Sequence, residues 1–172
     1  LESILQKWIA SLQSTTAREE NLQANDPRLV EAVSEKIADI LSELSEMAYG
    51  FAFANVIDAY WKGMKNGDDA LKTSAIRWLR GEFANKTEAR AALGFQVSVI
   101  IDDDNWYDFL KLWAALVRLM GYRGLVVFID ECVNLYKIVH RVSRENNYEK
   151  ILSMFNDALQ GRAPGLELVF GG

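Results

Sequence analysis

The sequence predicts a predominantly helical α/β chain with two or three parallel strands. Apolar residues recur at helical spacing over most of the first 93 positions. Later, two short strand-like runs, Leu125–Ile129 and Leu166–Phe170, are separated by helical patterns. Strand, helix and strand in that order are typical of parallel strands joined by a crossover. We therefore expect a helical region over residues 1–93 and a sheet-containing region over residues 94–172.

The composition limits the class of protein. The chain has 172 residues, of which 50% are hydrophobic, so it can form a sizeable core and is too apolar to be disordered. Its net charge of −5 gives no general attraction to nucleic acid, so we expect any DNA contact to be local or indirect. Cys132 is the single cysteine, which excludes an internal disulfide and indicates packing in a reducing compartment. No apolar run is long enough to span a membrane, and we expect a cytoplasmic protein.

The first two predicted helices have clear boundaries. The apolar positions from Ile4 to Leu12 predict a helix that ends near Ser14, followed by a polar loop as far as Arg28. Asp26 and Pro27 then have the residue types expected at an N-cap and at the first helical position.

The apolar pattern from Leu29 to Met64 is unusually long. As one helix it would measure about 50 Å at about 1.5 Å per residue, which exceeds a typical globular element. We expect Gly50 to kink or divide it.

Three shorter segments follow. Asn66–Gly67 predicts a turn, with Asp68 as the cap of a helix that ends around Gly81. Residues 86–92 predict a short helix that is entered at Asn85 or Lys86 and closed by Gly94. Residues 95–101 alternate well enough for a strand, although an extended connector is the alternative.

Three consecutive acids, Asp102 to Asp104, open the next predicted helix, which Gly121 ends. Acids in a first turn are typical of capping and of compensation for the helix dipole. A metal cluster is the alternative, and with Asp130 it would suit a metal-dependent phosphohydrolase.

The strand at residues 125–129 is followed by a predicted helix with Leu135 and Val142 on one face. Asn146–Asn147 is expected to break this helix before it resumes from Tyr148 to Leu159. His140, Arg141 and Arg144 form a predicted solvated basic face.

The run Leu125–Ile129 ends in two acids, Asp130 and Glu131. Its continuous apolar character predicts a strand that is buried on both faces. The acids would then lie at its carboxyl end, where open α/β sheets bind ligands. The segment resembles the Walker B strand of P-loop ATPases, which implies that Asp130 is a magnesium ligand and Glu131 activates the attacking water. The alternative is that both acids only cap the next helix.

A phosphate-binding loop is missing from the sequence. It contains no G-x-x-x-x-G-K-S/T motif, and no glycine is followed by lysine. It also opens at Leu1 within a helical pattern. We expect an internal fragment of a P-loop NTPase core that lacks the Walker A loop, with Mg²⁺ and ATP bound only by the full-length protein.

Several segments beyond the acidic pair resemble one known family, the P-loop ATP-binding proteins of bacterial BREX phage-defence loci. They are residues 78–82, 105–108, 124–131, 133–138, 147–152 and 171–172. The resemblance implies an AAA-like ATPase of a multi-protein defence system, with other defence proteins or a second copy as partners and no membrane. Of the functional residues that the resemblance implies, only Asp130 and Glu131 have counterparts in this sequence. The Walker A loop and a sensor residue are expected outside this chain.

A different class of function also fits the helical pattern. The apolar positions from Leu29 to Met64 could dock a partner or a second copy. The chain would then be a helical protein-interaction module with no catalytic role, and both acids would be structural.

Overall fold

The computed structural model describes residues 1–172, except for the side chain of Val133. Two compact units divide the chain, Leu1–Leu112 and Trp113–Gly172. In chain order the elements are α1 Glu2–Glu19, α2 Pro27–Ser42, α3 Gly50–Asn66, α4 Asp69–Leu79, α5 Lys86–Leu93, α6 Trp106–Leu119, β1 Leu125–Ile129, a 3₁₀ helix Cys132–Lys137, α7 Arg141–Leu159 and β2 Leu166–Phe170. The predicted class, mostly helical α/β with parallel strands, is confirmed. No helix in the described chain has the length and apolar character needed to cross a membrane.

The first helix is longer than predicted. It continues beyond Ser14 to Glu19, because Thr16 is fully buried and extends the packed face by another turn. The start of α2 agrees with the sequence. The Asp26 carboxylate accepts the N–H of Arg28 at 3.0 Å, and Pro27 occupies the first helical position. Hydrogen bonds from the Arg28 side chain and backbone hold the pKa of Asp26 below its ordinary value.

The long apolar pattern from Leu29 to Met64 is divided into two helices. Irregular turns at residues 43–49 end α2, and α3 begins at Gly50. A Cβ on Gly50 would lie 1.7 Å from the carbonyl oxygen of Leu44, so only glycine allows the chain to fold back this tightly. Gly50 therefore divides the pattern, which is the second of the two outcomes that we expected.

The core of the first unit is built from the apolar faces of its helices. Most of the stripe on α2 and α3 is buried there, at Leu29, Val33, Ile37, Leu41, Phe53, Val56, Ile57, Tyr60 and Trp61. Trp61 also donates its indole N–H to the hydroxyl of Ser34 at 2.9 Å, which ties α3 to α2. Phe109 stacks on Tyr49 with a centroid distance of 5.4 Å and meets Trp78 edge-on at 5.3 Å. The stripe is thus used for internal packing.

The helix caps predicted for α4 and α5 are confirmed. Asp68 accepts the N–H of Leu71 at 2.9 Å, and Asn85 accepts the N–H of Glu88 at 2.9 Å. Gly94 closes α5 in the left-handed conformation.

Residues 95–101 form a connector and not a strand. Trp78 donates to the carbonyl of Val99 at 3.0 Å, and Asn105 donates to the carbonyl of Ile100 at 2.9 Å. Because side chains satisfy these carbonyls, the segment needs no strand partner. The described sheet accordingly has two strands and not three.

The second unit contains the parallel pair β1 and β2, with Leu125 opposite Leu166 and Ile129 opposite Phe170. Phe155 of α7 stacks on Phe170 with a centroid distance of 5.2 Å, so α7 packs on one face of the pair. The prediction that β1 is buried on both faces is wrong, since Phe128 is 76% exposed. Val126 and Val169 are also exposed, and since Phe128 pairs with Val169 they lie on the same face of the pair.

The segment after β1 differs from its predicted form. The chain makes a 3₁₀ helix, Cys132–Lys137, before α7 begins at Arg141. The predicted break at Asn146–Asn147 is wrong, since α7 runs through it without interruption. Asn147 donates its side-chain amide to the carbonyl of Ser143 at 2.8 Å, so it bonds along the helix and does not end it.

Candidate functional site

The two acids lie at the carboxyl end of β1. Both Asp130 and Glu131 are exposed, directly after the last paired residue, Ile129. The backbone pairing continues past the strands, because Gly171 donates to the carbonyl of Ile129 at 2.8 Å and Cys132 donates to that of Gly171 at 3.0 Å. These bonds hold the acids beside the end of β2. This edge of a parallel sheet is where α/β proteins bind ligands.

The Asp130 carboxylate has one oxygen engaged. Its Oδ1 accepts the N–H of Glu131 at 2.7 Å. Within the described part of the chain, Oδ2 accepts no hydrogen bond. A Cβ on Gly171 would lie 2.8 Å from Oδ1, so a larger residue at 171 would crowd the carboxylate. The carboxylate of an exposed residue suits a hard cation such as Mg²⁺, which takes one or two carboxylates and keeps several waters.

Glu131 has an unusual backbone conformation. Its φ of 57° and ψ of 28° are left-handed, and it immediately precedes the 3₁₀ helix. Its Oε2 accepts the side-chain amide of Asn134 at 2.9 Å. The Asn134 amide oxygen in turn accepts from the ammonium of Lys137 at 2.6 Å. Glu131 therefore points along a row of polar side chains and makes no side-chain cap to the helix.

The other predicted residues of this unit have structural contacts. Cys132 is half-buried, with its thiol 3.5 Å from the carbonyl oxygen of Ile129. His140 precedes α7 and is exposed. Arg141 pairs with Glu145 at 2.6 Å, and Arg144 donates to the carbonyl of Ile138 at 2.9 Å.

The acids at Asp102 to Asp104 form a turn before α6. Asp102 accepts the N–H of Asp104 at 3.0 Å and donates its own N–H to the side chain of Asn105. Both bonds lie within residues 102–105, so they form a local turn that precedes α6. Among the residues that the structure describes, no group of three or more His, Cys, Asp or Glu side chains is arranged to hold a metal ion.

Two site residues were not found from the sequence, Asn134 and Gly171. Asn134 follows Glu131 by three residues, a spacing that brings side chains together on helices and that could have identified it. The position of Gly171 beside Asp130 depends on the register of β1 with β2, which the sequence does not reveal.

Comparison with known proteins gives one match. A family described as BREX system ATP-binding protein BrxC/D matches residues 1–172. Neither a curated protein nor a solved structure matches the chain. Since the match covers the whole chain, the protein belongs to the family of BREX system ATP-binding proteins BrxC/D.

Proposed function

We propose that this chain contributes the Walker B part of an ATPase site that acts in bacterial phage defence. Asp130 is the magnesium ligand and Glu131 positions and activates the water that attacks the γ-phosphate. One observation carries the proposal: in a chain of an ATP-binding family, two adjacent exposed acids follow a parallel strand at its carboxyl end.

The local chemistry supports separate roles for the two acids. Asp130 has one carboxylate oxygen, Oδ2, that accepts no hydrogen bond from the described residues, so this oxygen can bind a cation. When bound, Mg²⁺ would neutralise phosphate charge at this edge. The Glu131 carboxylate has a different partner, since its Oε2 accepts from Asn134 while Asp130 Oδ1 accepts the backbone N–H of Glu131. One acid is thus suited to metal binding and the other to water activation.

The phosphate loop of this site would lie outside residues 1–172, since the chain has no G-x-x-x-x-G-K-S/T motif. On this proposal residues 94–172 are part of the P-loop core and residues 1–93 are an attached helical region. Tight binding of ATP and Mg²⁺ is then a property of the full-length protein, and its partners are other proteins of the defence system or a second copy.

The interaction-module alternative has less support. The apolar stripe from Leu29 to Met64, which would dock the partner, is mostly buried inside the first unit. Val30 and Phe51 remain exposed, but they are a small part of it. We therefore favour the ATPase assignment.

The test is ATP hydrolysis and ATP binding by the full-length protein carrying Glu131→Gln. We expect ATP binding to survive, because the amide keeps the shape of the side chain. Hydrolysis should fall by about 100-fold or more, because the amide cannot accept a proton. Asp130→Asn should instead weaken the Mg²⁺ dependence of ATP binding.

The matched control is Glu167→Gln, an exposed acid within β2 that lies opposite Val126. It changes charge and shape in the same way, at a distance from the carboxyl end of the strands. Its hydrolysis rate should equal that of the unmodified protein. If Glu131→Gln also hydrolyses ATP at the unmodified rate, the assignment is wrong.

A further inference from the structure

Three side chains after β1 form a single row in the second unit. Glu131 accepts from Asn134 at 2.9 Å, and Asn134 accepts from Lys137 at 2.6 Å. Each residue follows the previous one by three positions. A 3₁₀ helix has about three residues per turn, so side chains at this spacing lie directly above one another. Asn134 and Lys137 lie in the 3₁₀ helix Cys132–Lys137, and Glu131 directly precedes it with a left-handed backbone.

The chemistry of the row allows one orientation of the Asn134 amide. The ammonium of Lys137 can only donate, and the ionised carboxylate of Glu131 can only accept. The amide oxygen must therefore face Lys137, and the NH₂ group must face Glu131. Lys137 thus helps to orient the Asn134 amide so that its NH₂ group faces Glu131.

The glutamate is held at its backbone as well as at its side chain. Its carbonyl accepts the backbone N–H of Asn134 at 2.8 Å, while its carboxylate Oε2 accepts the side-chain amide of the same residue. A carboxylate that is held at one oxygen cannot rotate freely. Within the described residues, Oε1 of Glu131 accepts no hydrogen bond, so this oxygen is open to a water molecule.

We infer that Asn134 is a positioning residue that fixes the Glu131 carboxylate with one oxygen occupied and the other directed to water, and that Lys137 orients Asn134. The inference rests on the proposed function, in which Glu131 activates the attacking water. Such activation requires the carboxylate to be within hydrogen-bond reach of that water, and a small misplacement lowers the rate strongly.

Steady-state hydrolysis of Mg²⁺-ATP by the full-length protein tests this role. Asn134→Ala should lower kcat by about tenfold, a typical loss for a residue that orients a catalytic group. The KM for ATP should stay unchanged, because Asn134 does not touch the nucleotide. Asn134→Gln keeps the amide donor and should recover most of the lost kcat. Asn146→Ala, at an exposed asparagine of α7, is the matched control and should behave as the unmodified protein.

A second variant covers the case in which Asn134→Ala does not fold. Asn134→Asp keeps the size of the side chain and the acceptor for Lys137, but it places a second carboxylate against Glu131. We expect a loss of kcat at least as large as that of a folded alanine variant. A kcat for Asn134→Asp equal to that of the control would overturn the inference.

The double variant of Glu131→Gln with Asn134→Ala shows whether Asn134 acts through Glu131. If Asn134 acts through Glu131, Asn134→Ala causes no further fall in kcat once Glu131→Gln is present. Losses that multiply would instead show an independent structural role and would overturn the inference.

The same experiments separate this inference from the proposed function. If Glu131→Gln leaves hydrolysis unchanged, the proposed function is wrong and the role of Asn134 falls with it. If Glu131→Gln abolishes hydrolysis while Asn134→Ala matches Asn146→Ala, only the role of Asn134 is wrong. A rise in KM without a fall in kcat, or no recovery in Asn134→Gln, also contradicts it.

Discussion

At the scale of single residues, Glu131 has a backbone conformation that is unusual for its residue type. Its left-handed conformation costs an L-residue other than glycine, asparagine or aspartate about 1–2 kcal/mol. The hydrogen bonds on both sides of it, from Gly171 to Ile129 and from Cys132 to Gly171, hold this turn in place. Backbone strain of this kind occurs preferentially at functional sites. Here it coincides with the residue to which we assign water activation.

The strain can be measured by comparing two substitutions of this residue. Asparagine tolerates the left-handed conformation and glutamine does not, so Glu131→Asn should be more stable than Glu131→Gln by about 0.5–1 kcal/mol. Hydrogen exchange of the amides in the 3₁₀ helix measures the difference.

The same pair of substitutions at Glu167, in the extended strand β2, is the control. At Glu167 the asparagine variant should be the less stable of the two, because asparagine is disfavoured in strands. Equal stability of the two Glu131 variants would mean that the backbone relaxes and stores no strain.

At the scale of elements, the helix ends follow local rules, while the segment after β1 does not. Asp26, Asp68 and Asn85 cap α2, α4 and α5 as their sequence context predicts. By contrast, the residues after Glu131 were predicted as helix and form a 3₁₀ helix followed by a separate α7. Caps depend on a few neighbouring residues, so they can be read directly from the sequence.

Two adjacent aspartates at the start of α4 provide a test of capping. Asp68→Ala removes the acceptor for the Leu71 N–H and should destabilise the first unit by about 1 kcal/mol. Asp69→Ala removes an exposed ion pair with Lys72 and an acid of the first helical turn, and it should have a smaller effect because both interactions are exposed to solvent. Chemical denaturation of both variants measures the difference, and equal losses would contradict the capping role of Asp68.

The pH dependence of the same variants gives a second comparison. The hydrogen bond from Lys72 lowers the pKa of Asp69 from its ordinary value. The small stabilisation from Asp69 is therefore present above that ordinary value and is lost as the pH falls through the lowered pKa. Asp69→Ala should remove this part of the acid dependence.

At the scale of the whole molecule, each unit maintains its fold by a different kind of packing. The first unit buries aromatic and aliphatic side chains between helices, as at Phe53, Tyr60, Trp61 and Trp78. The second has a two-stranded sheet, an element that is only marginally stable without packing on one face. Its strands start in close contact, since Leu125 donates to the carbonyl of Gly165 at 2.7 Å.

The close approach of the strands predicts the effect of Gly124→Ala. A Cβ at this position would lie 2.3 Å from the carbonyl oxygen of Gly165, so the starts of the strands must separate. We expect a loss of about 1–3 kcal/mol, measured as reduced hydrogen-exchange protection in both strands.

Gly161→Ala is the control for that substitution. Gly161 has a φ of 67° and open space around its added Cβ, so this variant tests backbone strain without a clash. It should cost about 1 kcal/mol and leave the strand pairing intact. If Gly124→Ala is no worse than Gly161→Ala, the strands do not approach as closely as described.

The sequence by itself determined the fold class, the caps that begin α2, α4 and α5, the two parallel strands and the position of Asp130 and Glu131 after the first of them. Periodicity, caps and breaks are local properties, so they are encoded within a few residues of each boundary. The extension of α1 was missed because residues 15–19 continue the helix without the apolar repeat, and the burial of Thr16 is visible only in the structure.

Only the tertiary structure decided the contacts around the acids. The register of β1 with β2 brings Gly171 beside Asp130, although 40 residues separate them, and pairing between distant segments cannot be read from local patterns. The 3₁₀ helix Cys132–Lys137 carries Asn134 and Lys137, and the left-handed backbone of Glu131 at its start brings the glutamate into the same row, a conformation that the local pattern did not predict. The local sequence predicts where the acids lie. The pairing of β1 with β2 and the 3₁₀ helix determine which residues contact them.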